Sequence, residues 1–155
     1  MQRLRLHAMI VAAGIAAVSF APAAIGQDGP TADGRPLVTV RELMEKTITP
    51  TTNTIWGAYD PPASEEEWQA LEEAAITLLV AGQALALGGT GPMDRQWAEN
   101  PAWRAFDQVM LGAANDALAA IRSRDHDALL TASDVLYPPC EGCHMQFHPG
   151  VVGAD

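Results

Sequence analysis

The chain of 155 residues, 48% hydrophobic and 18% charged, suits one compact domain better than a disordered polymer or a membrane channel. It carries 9 Lys and Arg against 19 Asp and Glu, a net charge of −10, which argues against nucleic acid as a partner. With two cysteines and 4 histidines in all, any thiol or imidazole chemistry must come from few positions.

The chain opens MQRLRLHAMIVAAGIAAVSFAPAAIGQ, with Arg3 and Arg5 ahead of an apolar run over residues 8–20 and a zone of small residues. This pattern predicts a cleavable secretory signal peptide over residues 1–26, cut after Ala23 or Gly26. The run is shorter than the roughly 20 apolar residues that span a bilayer, so a retained anchor is the weaker reading. Removal leaves 7 of the 9 basic residues against all 19 acidic ones, and the exported chain is expected in the periplasm. Residues 27–37, rich in Gly, Pro and Asp, form a flexible N-terminal segment, and the folded domain is expected over residues 38–155.

Four segments of helical spacing follow, with no alternation that would argue for strands. The first, residues 38–59, places Val40, Leu43, Met44, Ile48, Ile55 and Trp56 mostly three or four apart, with Pro50 expected to kink or break it. The second starts at Ser64, where Ser64 and Glu67 have the spacing of a capping box, and stops at Gly88 and Gly89. Between them Trp68, Leu71, Ala75, Leu78, Leu79, Gly82 and Leu85 form an apolar stripe.

Asp94 is placed to start a short extra turn. Asn100 and Pro101 then cap a third helix through Arg122, with Trp103, Phe106, Val109, Met110, Ala113, Ala117 and Ile121 facing inward. A fourth begins at Asp125 and carries Leu129, Leu130, Ser133 and Leu136; Pro138 and Pro139 are expected to interrupt it. The fold class read from this order is all-α, an antiparallel four-helix bundle.

Both cysteines lie in PPCEGCHMQF, residues 138–147, as Cys140-Glu141-Gly142-Cys143-His144. Two thiols at this spacing with an adjacent imidazole fit covalent attachment of one haem c: Cys140 and Cys143 reach two vinyl groups and His144 binds the iron. A disulfide oxidoreductase would place its C-x-x-C after a strand, which the pattern lacks. A zinc site would need Cys140, Cys143, His144 and His148 to converge, but neighbouring Cys143 and His144 aim poorly at one tetrahedral ion. A structural disulfide would close too small a loop to constrain much chain and leaves His144 unexplained.

With this motif, the "RELM" stretch of the first helix, Trp103 and Phe106 of the third, and "CHMQF" near the C terminus, the chain resembles the cytochrome c prime family over residues 38–147. The resemblance implies a four-helix bundle with haem held near the C terminus, His144 as proximal ligand and the first helix on the distal side. Met44 falls in the matching distal region. A basic residue usual in that family four beyond the proximal histidine is here His148. The family's last helix usually runs through the motif, and Pro138 and Pro139 depart from that.

Met44 is the candidate distal iron ligand, which would raise the potential and favour electron transfer, and equally a core side chain on the inward stripe. Met110 is a second candidate for approach to the haem, Met93 a poorer one in a loop, and Met145 adjoins the proximal side. His148, four beyond His144 on a continuing helix, would share its face and so could not lie trans to it. Trp56, Tyr59 and Phe147 are candidate haem contacts or ordinary packing.

The sequence thus predicts an exported monohaem c-type cytochrome, an electron carrier rather than an enzyme, whose partners are redox proteins. The alternative is a gas-binding or sensing cytochrome with an open distal site, taking small gases. A homodimer is compatible with the resemblance, since related bundles pair through their first two helices, although an internal core accounts for the stripes.

Overall fold

The structure is a computed structural model that describes residues 34–148. The expected signal peptide and its cleavage positions lie outside the described residues, as do residues 27–33 and 149–155. The described residues are helical and contain no strand. Among them no helix is long and apolar enough to cross a membrane.

The first helical stretch has three parts: α1 (Val40–Leu43), a π-helical turn (Met44–Ile48) and α2 (Thr49–Trp56). Thr39 caps it by accepting from the Glu42 backbone at 3.1 Å, while the Glu42 carboxylate accepts from the Thr39 backbone at 2.8 Å. The Asp94 carboxylate, buried, accepts from the backbone of both Val40 and Gly91 at 2.8 Å, tying this helix start to a distant loop.

The π turn follows from the phase of the apolar residues. At about 100° per residue, Val40, Leu43 and Met44 would centre roughly 100° away from Ile48, Thr52, Ile55 and Trp56 in an unbroken α-helix. One extra residue in a turn brings both groups onto one face, and the Thr49 backbone duly donates to the Met44 carbonyl five residues back. Pro50 reinforces the choice, because its ring crowds the carbonyl four residues earlier and it has no N–H to give. The expected interruption at Pro50 is therefore present as a widened turn, and the stretch ends at Trp56 with Gly57 as its cap rather than at Tyr59.

Helix α3 (Glu65–Ala86) is capped by Ser64, whose hydroxyl accepts from the Glu67 backbone at 3.3 Å. The reciprocal half of the expected box is displaced by one residue: the Glu67 carboxylate accepts from the Ala63 backbone at 2.7 Å. Gly88 stops the helix at φ 78°, a conformation that only glycine adopts without strain, and a side chain there would also strike the Asp94 carbonyl. A short α4 (Asp94–Glu99) follows.

Helix α5 (Pro101–Ser123) starts with the Asn100 side chain accepting from the Ala102 backbone at 2.9 Å. Its partner α6 (His126–Phe147) follows after a tight turn in which Arg124 adopts a left-handed conformation. Trp103, early in α5, donates through Nε1 to the Leu85 carbonyl, late in α3, while Arg122 at the other end pairs with Glu72 at 2.7 Å. Helices α3 and α5 are thus antiparallel. Helix α2 runs opposite α6, with the Trp56 Nε1 donating to the Ser133 carbonyl at 3.1 Å and His126 against the Ala58 carbonyl at 3.0 Å.

The core between these helices contains Leu78, Ala75, Ala117, Ile121, Leu129 and Leu136, all essentially inaccessible. Small residues at Ala74, Ala75, Ala113 and Ala117 let the backbones approach. Val109, expected inward, is exposed; the inward face of α5 instead takes Ala114, Leu118 and Asp107.

The expectation that Pro138 and Pro139 would interrupt the last helix is corrected: α6 is continuous from His126 to Phe147 through both. The two missing N–H groups would have bonded the carbonyls of Asp134 and Val135. Both residues are exposed, so water can satisfy those carbonyls, while Leu136, Pro139 and Cys143 on the other face are buried and hold the helix in line.

Burying a leucine side chain contributes about 1.5–3 kcal/mol, and its removal also leaves a cavity. Leu129→Ala is expected to lower unfolding stability by about 2–5 kcal/mol, read by denaturant titration of the purified chain.

Candidate functional site

Because α6 is unbroken, Cys140, Cys143 and His144 stand at positions i, i+3 and i+4 and share one helix face. That face borders two adjoining cavities of ≈ 380 and ≈ 430 Å³, within the size range of cofactor sites. Cys143, His144, Met44, Thr49 and Trp103 line both, and Cys140 lines the first. The structure therefore brings together all four residues singled out in the sequence: the three of the motif on α6, and Met44, half-buried, on the π turn.

The two cysteines are free thiols. The Cys140 thiol, half-buried, donates to the Leu136 carbonyl at 3.2 Å, and burial raises its pKa. Cys143 is buried, and its pKa is pushed up to about 11 by burial first, then by Cys140 and Asp107. Burial, and secondarily the charge of His148, holds the pKa of His144 below its ordinary value, which keeps the imidazole neutral and its lone pair available. Neutral thiols are the reverse of the stabilised thiolate that a disulfide oxidoreductase needs. The described residues include no group of three or more His, Cys, Asp or Glu side chains able to hold a metal ion.

Gly142 permits the close packing of this face. A side chain there would come within 2.6 Å of the Phe106 ring, so α5 and the motif could not approach as they do. At the end of α6, Phe147 meets Trp103 edge-on at 5.2 Å, and Trp97 stacks on Trp103 at 5.7 Å. Trp56 lies in the wall of the first cavity, 6.2 Å from Tyr137, whereas Tyr59 is exposed and away from the site.

Of the other methionines, Met110 lines the first cavity and Met93 borders the second from an exposed loop, while Met145 is exposed. His148 caps the helix at φ −145°, its backbone donating to the His144 carbonyl at 2.8 Å, and lines the second cavity together with His144. Pro149 explains this ending, since the residue before a proline is disfavoured in the helical region.

Three site features had escaped the sequence reading. Trp97 completes the aromatic cluster, and Asp94 holds the start of the helix that carries Met44. Asp107, 5% exposed, lines the first cavity with no hydrogen-bond partner for Oδ1, and burial pushes its pKa up to about 6. It could have been noticed, because it stands between Trp103 and Met110 on the inward stripe. A carboxyl raised in this way binds its proton more tightly in the folded chain, so stability falls as pH rises through the window from the ordinary carboxylate value to about 6.

Comparison with known proteins yields no match: no family model, no curated protein and no solved structure matches the chain.

In the haem-free chain, Cys143 is expected to react with iodoacetamide at pH 8 roughly two orders of magnitude more slowly than a free cysteine, since about one thiol in a thousand is ionised at three pH units below its pKa. Between pH 8 and 10 the rate should climb about tenfold per unit, as thiolate controls reactivity. Peptide mass spectrometry measures both, and a rate equal to that of the unfolded chain would contradict the buried thiol.

Proposed function

We propose that the chain is an exported c-type cytochrome of the cytochrome c prime kind: a periplasmic electron carrier with a four-helix-bundle domain and one covalent haem. The observation that carries this reading is a complete C-x-x-C-H motif whose reactive atoms border one mostly apolar cavity system, with Met44 on its wall. Antiparallel packing of α2, α3, α5 and α6 supports the bundle.

The residues present fit the group. Cys140 and Cys143 are free and share a face with His144; neutral thiols suit thioether formation, in which each S–H adds across a vinyl double bond and no charge is left behind. A neutral His144 is the form that binds iron. The continuous α6 also removes the one departure from the family pattern that had concerned the prolines. When bound, haem supplies one-electron iron chemistry. The chain's part is to hold it by two thioethers, orient it from His144 and screen it from water with Trp103, Phe106 and Ile48.

Produced in cells able to mature c-type haem, the protein should retain haem under denaturing conditions. Cys140→Ala combined with Cys143→Ala should abolish covalent attachment, whereas His144→Ala should keep the thioethers and change the visible spectrum. A haem-free wild-type chain would end this reading.

A second reading, gas binding, is favoured by one observation: Met44, half-buried, packs against the hydrophobic core, a role that would leave the distal side open to a small gas. Ferrous spectra with and without carbon monoxide separate the two. A low-spin spectrum lost in Met44→Ala marks methionine ligation and electron transfer; ready carbon monoxide binding by the unmodified protein marks an open site.

A further inference from the structure

Asp107 is a buried ionisable group that the proposed function leaves unused. It projects from α5 into the wall of the first cavity, close enough to Cys143 on α6 to act on that thiol electrostatically. Among the described residues no ion pair reaches it and its Oδ1 has no partner. The nearest cation on its own helix, Arg104, is turned away and donates to the Ala98 carbonyl at 3.0 Å. Across the cavity the first helical stretch presents Met44, Ile48 and Thr52, and α3 presents Leu85, none of them charged. Among the described residues, the titratable groups that share this cavity wall with it come from α6: Tyr137, Cys140, Glu141, Cys143 and His144.

An unpaired carboxylate in apolar surroundings costs the fold, and a substitution to any apolar residue of similar size would relieve that cost. Its position tells what it does for the site. We propose, resting on the haem reading above, that Asp107 lowers the reduction potential of the haem iron by holding a negative charge inside the cavity wall. A nearby negative charge favours the ferric iron, which carries one more positive charge than the ferrous, and the low-dielectric surroundings screen this attraction weakly.

The test uses the purified holoprotein, wild type beside Asp107→Asn and Asp107→Glu, with covalent haem verified by mass under denaturing conditions. Midpoint potentials are then measured by spectroelectrochemistry at pH 8. Asn, which removes the charge at nearly the same shape, should shift the potential upward with the axial spectrum unchanged, and Glu, which keeps the charge, should stay near the wild type. If the Asn variant fails to fold, Asp107→Ser must show the same upward shift. An unmoved potential in the neutral variants overturns the proposal, as does a Glu variant that shifts upward as far as Asn, which would assign the effect to packing. Loss of covalent haem in the neutral variants alone would assign Asp107 to attachment instead and overturn it too. Wild type without haem ends the underlying reading, whereas wild type with haem and an unmoved Asn potential ends only the role of Asp107.

Discussion

Everything at the site depends on α6 lying unbroken against α5. The spacing of Cys140, Cys143 and His144 has chemical meaning only where the residues follow a 3.6-residue period, and a break at Pro138 would aim the motif independently of the rest of the helix. Local proline rules favour such a break. Tertiary packing opposes it, through Leu129, Leu136 and Cys143 buried on the inner face and Gly142 set against Phe106. The packing prevails because the two orphaned carbonyls face water, where their hydrogen bonds cost little to replace.

Opposite this face, the first helical stretch meets a different demand. Its apolar residues fall out of phase halfway along, and the π turn restores them to one side while placing Met44 at the cavity. Two anchors fix the stretch at its start, the Thr39 and Glu42 pair within the helix and Asp94 from outside it. The side chain offered to the cavity is thus set by register, and the start of the helix by a carboxylate more than fifty residues away.

Most helix starts and stops were legible in the sequence, because caps are local chemistry: Ser64, Asn100, Asp125 and Gly88 each act within a few residues of themselves. The motif was legible for the same reason. Asp94 and Asp107 were not, since the first owes its role to a backbone N–H of a remote helix and the second to burial that only the packed helices create. The expected interruption of α6 at Pro138 and Pro139 failed because the rule describes an isolated chain. The exposed Val109 shows the limit of reading stripes by hydrophobicity alone: α5 has more apolar residues than its inner face can take, and the smaller Ala113 and Ala114 fit where the helices come close.

The burial of Cys143 also ranks the two thiols. Cys143 is buried, while Cys140, one turn earlier on the same face, is half-buried, and both residues line the first cavity. A small reagent entering that cavity is expected to mark Cys140 ahead of Cys143, so two chemically identical groups carry an order of reactivity set by burial alone.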